Sequence, residues 1–466
     1  MNSRLEFSAE RMREIGYRVV DRLVEHLATL PSQPVGAKAD PVTLLAELSE
    51  PAPEHGMEFE AVLDQLERDV FRNTMHVNHP RFFAYVPGPG NFVSAMADAL
   101  ISSYNVFAGT WISGSGPAAV ELTVIDWLRA ACGFPSGAGG LFVSGGTMAN
   151  LTALAVARHV ALGDRLDGAI VYLSDQAHSS LEKALRVLGM PSENTRKIAC
   201  DANYRLPIRE LERAIEKDCA QGKRPFCVIA SAGTTNTGAI DPLNELSRLC
   251  QDRNLWLHVD GAYGAAAVIC NRGRDLLDGL EMADSLSLDP HKWLFQPFEI
   301  GCVLVRELAH LRDTFLILPE YLKDAQQYST EFNFTDYGLQ LTRGFRALKL
   351  WMSIKVFGMA AFRAAVERGF ALAEFTEARL RKMSGWEIVT PAQMGIVCFR
   401  YESADDTAHL QLVQSILKDG FALITSTVLQ GRTVLRTCTI NPRTTESDIE
   451  ETLDRLDLLA HLERET

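Results

Sequence analysis

Ser285-Leu286-Ser287-Leu288-Asp289-Pro290-His291-Lys292-Trp293 is the stretch around which the rest of the chain is organised. Leu286 and Leu288 alternate with small polar residues, the period of a half-buried strand. Pro290 has no amide hydrogen, so it ends the ladder and sends the residues after it into a loop. Lys292 then projects from a strand end, walled by Trp293, Leu294 and Phe295. Loss of hydration there disfavours the ammonium form and makes the amine a better nucleophile toward a carbonyl carbon. The alternative is an exposed lysine whose stem covers an aromatic ring, since lysines are mostly exposed. The rest of the chain decides between the two.

The chain has 466 residues, enough for about three domains of ordinary size and a large core. Hydrophobic residues make up 47% and charged residues 23%, the balance of a globular protein rather than a disordered one. A net charge of -13, with no basic cluster standing out from it, argues against a nucleic-acid groove. The 9 cysteines are scattered, with no Cys-x-x-Cys pair, and read as reduced thiols rather than a disulfide framework or zinc site. Residues 1–25 are charged throughout and lack the apolar centre of a signal peptide. No stretch of about 18 apolar residues is present to span a membrane. A cytoplasmic protein is expected.

Outward from Lys292, short apolar runs alternate with helical patterns. Strands are predicted at 141–143, 169–173, 197–199, 226–230, 255–259, 285–288 and 300–305, with helices at 147–160, 179–188, 207–220 and 242–252 between them. Continuous apolar strands separated by helices predict an α/β fold, a mainly parallel seven-stranded sheet covered on both faces. Three amphipathic helices precede it, and the first carries Met12, Ile15, Val19, Leu23 and Leu27 on one face. They are too few to bury those faces among themselves, so either a partner subunit or a helical cap on the same chain is expected. Two aromatic, glycine-rich stretches follow at 79–90 and 107–116, and Pro117 opens a helix. After the sheet, residues 336–357 lead through a long helix to a small α+β domain with strands at 386–389, 395–401, 421–425 and 434–440. The expected units are 1–85, helical; 86–355, the large α/β domain; and 356–466, the small domain.

In an open parallel sheet, ligands sit at the carboxyl ends of strands. Ser144-Gly145-Gly146-Thr147 follows the first strand and opens a helix, where glycines admit a phosphate and the helix N-terminus favours its charge. A purely structural Gly-Gly turn would look the same, and no Gly-Lys-Ser/Thr follows to make it a nucleotide loop. Asp175 and His178 follow the second strand; either Asp175 or Ser179 is a helix cap, or the His178 imidazole lies over a flat ligand ring. Thr234, Thr235 and Thr237 gather at the mouth of another strand. Asp260 directly follows the apolar run ending at Val259, and a carboxylate there is costly unless paired. A protonated pyridine nitrogen would pair it. Phosphate cradle, ring stacker, buried carboxylate and desolvated lysine together meet the chemical needs of pyridoxal phosphate.

The runs Phe82-Phe83-Ala84-Tyr85, Ser174 to Ser180, His258-Val259-Asp260-Gly261-Ala262-Tyr263, Asp289-Pro290-His291-Lys292-Trp293 and Arg343 to Trp351 carry a family resemblance. The chain resembles the pyridoxal-phosphate-dependent decarboxylases of the aromatic-L-amino-acid decarboxylase group, group II within fold type I, over nearly its whole length. The resemblance implies that Lys292 forms the internal aldimine, that Asp260 pairs with the pyridinium nitrogen and that His178 stacks on the ring. Gly146, Thr147, Thr235 and His291 would then lie around phosphate or ring, with Ala262 near the ring and Asp289 where the group often has asparagine. It also implies a homodimer whose sites lie at the interface, with residues 107–116 able to reach a neighbour.

The implied reaction is decarboxylation of an L-amino acid to amine and carbon dioxide through a quinonoid intermediate. A loop at about 318–342 would close over the site and carry the proton-donating tyrosine, best matched by Tyr337, although Tyr337 stands closer to Arg343 than the family pattern has it. Phenylalanine in that role would imply oxidative aldehyde formation. Phe83, Tyr85, Phe107 and Trp111 favour an aromatic substrate, while Tyr85-Val86-Pro87-Gly88 departs from the Tyr-Phe-Pro-Thr of aromatic members. A decarboxylase of acidic or aliphatic amino acids and an aldehyde synthase remain the alternatives.

Overall fold

The molecule is described by a computed structural model over residues 5–163, 165–317, 331–402 and 404–462. Alternation of side chains in the apolar runs determines how its layers form. In strand β2 (Ala169–Ser174), Ile170 and Tyr172 face one hydrophobic cluster while Ala169, Val171 and Leu173 face another. A strand apolar on both faces can only sit in the middle of a three-layer sandwich. Its companions are β1 (Gly139–Val143), β3 (Thr195–Ile198), β4 (Arg224–Ser231), β5 (Trp256–Asp260), β6 (Ser285–Leu288) and β7 (Gly301–Val305). The spatial order is β1-β7-β6-β5-β4-β2-β3.

β2, β3, β4, β5 and β6 pair in parallel, whereas β7 runs antiparallel to both β6 and β1. The reason lies in the connections. Parallel neighbours need a crossover helix, but β6 and β7 are joined by a loop alone and must reverse. That loop holds Lys292.

The helices before and within this unit are α1 (Ala9–Thr29), α2 (Pro41–Leu48), α3 (Phe59–Gln65), α4 (Phe92–Tyr104), α5 (Trp111–Ala131), α6 (Gly146–Leu162), α7 (Ser179–Val187), α8 (Ile208–Ala220) and α9 (Leu243–Arg253). Ser8 and Asp40 cap α1 and α2 through their side-chain oxygens, as their positions before the apolar patterns suggest. The helix expected from Pro117 starts at Trp111 instead, because Gly114 absorbs a kink within the first turns. Helix α4 was not anticipated; its apolar residues are spread around the helix and show no clean stripe.

After α10 (Asn271–Leu276) and α11 (Leu308–Phe315), the long α12 (Ala347–Leu380), kinked at Gly358, crosses to the second sheet. This sheet comprises β8 (Trp386–Gln393), β9 (Ile396–Tyr401), β10 (Thr425–Leu429) and β11 (Arg432–Cys438), all antiparallel, with α13 (Asp406–Asp419) and α14 (Glu446–Leu462) packed on it. Both of its hairpins turn on an X-Gly pair at positive φ: Met394 (48°) with Gly395 (80°), and Gln430 (50°) with Gly431 (75°). The second turn corrects the strand expected at 421–425. β10 begins only at Thr425, and the preceding residues lie against the 79–90 stretch, where Phe83 N donates to Leu423 O at 2.8 Å.

Candidate active site

The residues at the carboxyl ends of β1, β2, β4, β5 and β6 enclose one cavity of about 350 Å³. Gly146 and Thr147 enter it at the start of α6, and His178 just before α7. Thr235 follows β4, Asp260 and Ala262 close β5, and Asp289, His291 and Lys292 leave β6. These are the cofactor residues expected from the sequence, brought together from five strand ends.

The Lys292 loop is held by backbone bonds at both ends. Asp289 N donates to Ala262 O at 2.8 Å, Lys292 N to Asp289 O at 3.0 Å, and Gln296 N to Pro290 O at 3.2 Å. Trp293 is not a wall of the cavity as expected. It is fully buried, packed 5.1 Å from the Phe370 ring and 6.0 Å from Tyr263, so it anchors the loop in the core while Lys292 takes the opposite direction. Lys292 Nζ lies 3.3 Å from Asp289 Oδ2. Burial lowers the pKa of His291, whose Nδ1 accepts from Ile300 N at 3.2 Å and whose Nε2 is 3.5 Å from Asp289 Oδ2.

Asp260 is a carboxylate at the end of a wholly buried strand. Its Oδ1 accepts from Ser287 Oγ and from Ala262 N, each at 3.1 Å, and its Oδ2 accepts from Asn150 Nδ2 at 3.2 Å. Oδ2 thus keeps acceptor capacity for a donor in the cavity. His178, not Asp175 or Ser179, caps α7: its Nδ1 takes Ser180 N at 3.2 Å. His178 is exposed and lines the cavity, yet the surrounding protein still lowers its pKa by desolvation, opposed by Asp260.

A pyridoxal phosphate fits these donors and acceptors. A Cβ on Gly146 would stand 2.9 Å from Asp289 Oδ2 and 3.1 Å from Ala262 Cβ, so only glycine leaves the start of α6 open to a phosphate. Asp289 Oδ1 is buried without a hydrogen-bond partner, a polar atom left over for a ligand group.

The expected aromatic wall and proton donor do not line the cavity within one chain. Phe83 is buried in the core of the small sheet, and Ala84 beside it is buried as well. Tyr85 is exposed at φ 54°, its carbonyl accepting from Arg436 Nη1 at 2.7 Å. Phe107 is half-buried over Gly109, and Trp111 packs against the cluster on the α6 face of the sheet. Tyr337 stacks on Phe332 at 4.2 Å. Of the loop expected at about 318–342, residues 318–330 lie outside the described residues. Asn150, Ser180 and Ser287 were not singled out from the sequence, although a polar Asn150 inside an alanine-rich helix was a visible signal.

Residues 41–402 match the pyridoxal-dependent decarboxylase conserved domain. The chain is 48% identical to an aromatic-L-amino-acid decarboxylase of Bacillus atrophaeus, over 99% of this chain and 98% of that protein. It is 30% identical to a phenylacetaldehyde synthase of Arabidopsis thaliana, over 95% and 94% of the two chains. The crystal structure of Oryza sativa TDC with PLP and tryptamine superimposes with a TM-score of 0.93 at 28% identity, over 98% and 99% of the chains. With the cavity and its lysine in place, these likenesses establish that the chain belongs to the pyridoxal-dependent decarboxylase family.

Proposed function

We propose that the chain removes the α-carboxylate of an aromatic L-amino acid as carbon dioxide and releases the amine. The convergence of Lys292, Asp260 and His178 on one cavity carries this reading. When bound, pyridoxal phosphate supplies an electron sink for the pair left behind by carbon dioxide. Lys292 Nζ is the amine that would hold the cofactor's carbonyl carbon. Asp260, braced by three hydrogen bonds, would keep a proton on the ring nitrogen, a charge pairing that would favour electron flow into the ring. Gly146 and Thr147 would hold the phosphate at the start of α6, with Thr235 and His291 alongside and Ala262 near the ring. His178 would lie over the ring, and burial, which lowers its pKa, favours the neutral imidazole there, adding no cation to hold a carboxylate that has to leave.

Tyr337 is the proposed donor of the proton to the former α-carbon. Burial raises its pKa, so the phenol keeps its proton at neutral pH. To deliver it, the ring has to leave Phe332 or meet the cavity of a second copy. A homodimer with the site at the interface is part of this proposal. None of the α1 side chains is buried, and Met12, Tyr17, Val20, Leu23 and Val24 are exposed along it. Tyr85, Phe107 and Trp111 are the proposed substrate wall, the last two reaching toward the neighbour, while Phe83 is taken up by the core of the small sheet. The nine free cysteines support a reducing compartment, the cytoplasm.

Tyr337 stacks on Phe332 and is not among the residues lining the cavity, which favours a second reading. Without a proton donor, molecular oxygen takes up the electrons, and amino acid, oxygen and water give aldehyde, carbon dioxide, ammonia and hydrogen peroxide. Purified protein with pyridoxal phosphate, offered phenylalanine, tyrosine, tryptophan and glutamate in turn, separates the readings. Amine without peroxide from the aromatic substrates supports the first; aldehyde with peroxide supports the second.

A further inference from the structure

Behind Asp260 lies a polar chain that none of the steps above uses. Trp256 Nε1 donates to Ser285 Oγ at 2.8 Å, Ser285 Oγ meets His258 Nδ1 at 2.9 Å, and His258 Nε2 meets Asn150 Oδ1 at 3.0 Å. Asn150 Nδ2 lies 3.2 Å from Asp260 Oδ2 and 3.1 Å from Ser180 Oγ, which in turn lies 2.8 Å from His178 Nδ1. Asn150, His258 and Ser285 are buried beyond the reach of bulk water.

The direction of every bond follows from the two ends. The Trp256 indole can only donate, so the Ser285 hydroxyl is free to point its own proton at His258 Nδ1. Burial lowers the pKa of His258 to about 4, so the ring is neutral, and the Asn150 carbonyl oxygen 3.0 Å from Nε2 draws its one proton to that nitrogen. From the other end, the Asn150 amide has to turn its NH2 to Asp260, because a carbonyl there would set two acceptors face to face. The second amide hydrogen goes to Ser180 Oγ, whose proton therefore goes to His178 Nδ1. That nitrogen also accepts Ser180 N, which leaves the His178 proton on Nε2.

We infer that Asn150 is a positioning residue: one amide aims the Asp260 carboxylate into the cavity and sets the Nε2–H tautomer of His178. The inference rests on the proposed placement of Asp260 and His178 against the cofactor ring. Losing the amide strands an Asp260 lone pair and the His258 N–H, and takes from Ser180 Oγ the donor that orients its hydroxyl.

Imidazole 15N shifts of the cofactor-free protein, labelled at histidine, read the tautomers directly. Nε2–H at both His178 and His258 is expected in the wild type, and Nδ1–H at either overturns the inference without any variant. Ser180→Ala should disturb His178 alone and leave His258 in place. Asn150→Ala should disturb both and weaken pyridoxal phosphate binding about tenfold, the worth of a hydrogen bond to a charged group. Unchanged tautomers and unchanged cofactor affinity in Asn150→Ala overturn it. Undiminished cofactor affinity in Asp260→Ala overturns instead the placement on which it rests.

Discussion

Lys292 Nζ and Asp289 Oδ2 stand 3.3 Å apart, and the same Oδ2 borders the space beside Gly146 that the cofactor's phosphate is proposed to fill. Asp289 therefore serves the lysine and opposes an anion. Asp289→Asn removes the opposing charge and keeps the shape of the loop. We expect tighter pyridoxal phosphate binding by about 1 kcal/mol, roughly fivefold, at an interaction screened by Lys292 and His291. Fluorescence titration of the two proteins with the cofactor measures it.

Arg343 and Glu121 form an ion pair with both side chains out of water, Nη2 to Oε1 at 2.6 Å. Glu121 Oε1 also takes Phe142 N at 3.0 Å, and Arg343 donates to Phe142 O at 2.9 Å and Ala108 O at 3.1 Å. The pair thus ties the 107–116 stretch to β1. Glu121→Ala leaves a buried guanidinium without its acid and should cost about 3–5 kcal/mol. Glu121→Leu with Arg343→Met should recover much of that loss. Urea unfolding of the single and double variants decides.

Acid should weaken the fold. Burial lowers His258 and His79 to about 4, below the ordinary 6.5. The unfolded chain then binds more protons than the folded one between those values, so stability falls as pH drops from about 6.5 toward 4, by about 3 kcal/mol for each histidine. Asp241 works the other way. Its carboxyl is pushed up to about 6 by burial, so the folded chain gains a proton there below that pH. Two histidines against one aspartate leave a net loss on acidification, read as a lower urea midpoint at pH 5 than at pH 7.5.

The exposed apolar row on α1 is expected to be covered by a second copy. Val20→Glu combined with Leu23→Glu should convert a dimer to a monomer in sedimentation velocity and lower decarboxylation, since the proposed site is shared. A dimer that persists in the double variant contradicts that interface.

Much of the sheet was legible because its strands are apolar without interruption and its helices are bounded by proline, glycine or a capping residue. The residues around Lys292 were legible for a related reason: polar side chains at strand ends in an apolar context stand out. Three features were hidden. The reversal of β7 depends on the absence of a helix in the 289–300 connection, which the apolar run itself does not reveal. The register of β10 depends on Gln430 and Gly431 adopting positive φ together. The inward turn of Trp293 depends on Phe370 and Tyr263, which are distant in sequence. The role of Asn150 was hidden as well, because its partners come from β5 and α7, distant in sequence.

The visible absorption of the purified protein titrated with pyridoxal phosphate, compared with that of Lys292→Ala, tests the assignment of Lys292 most directly. A band from the lysine-bound cofactor in the wild type, absent from Lys292→Ala together with release of carbon dioxide from aromatic amino acids, is the expected result. The same band and the same carbon dioxide release in Lys292→Ala would contradict it.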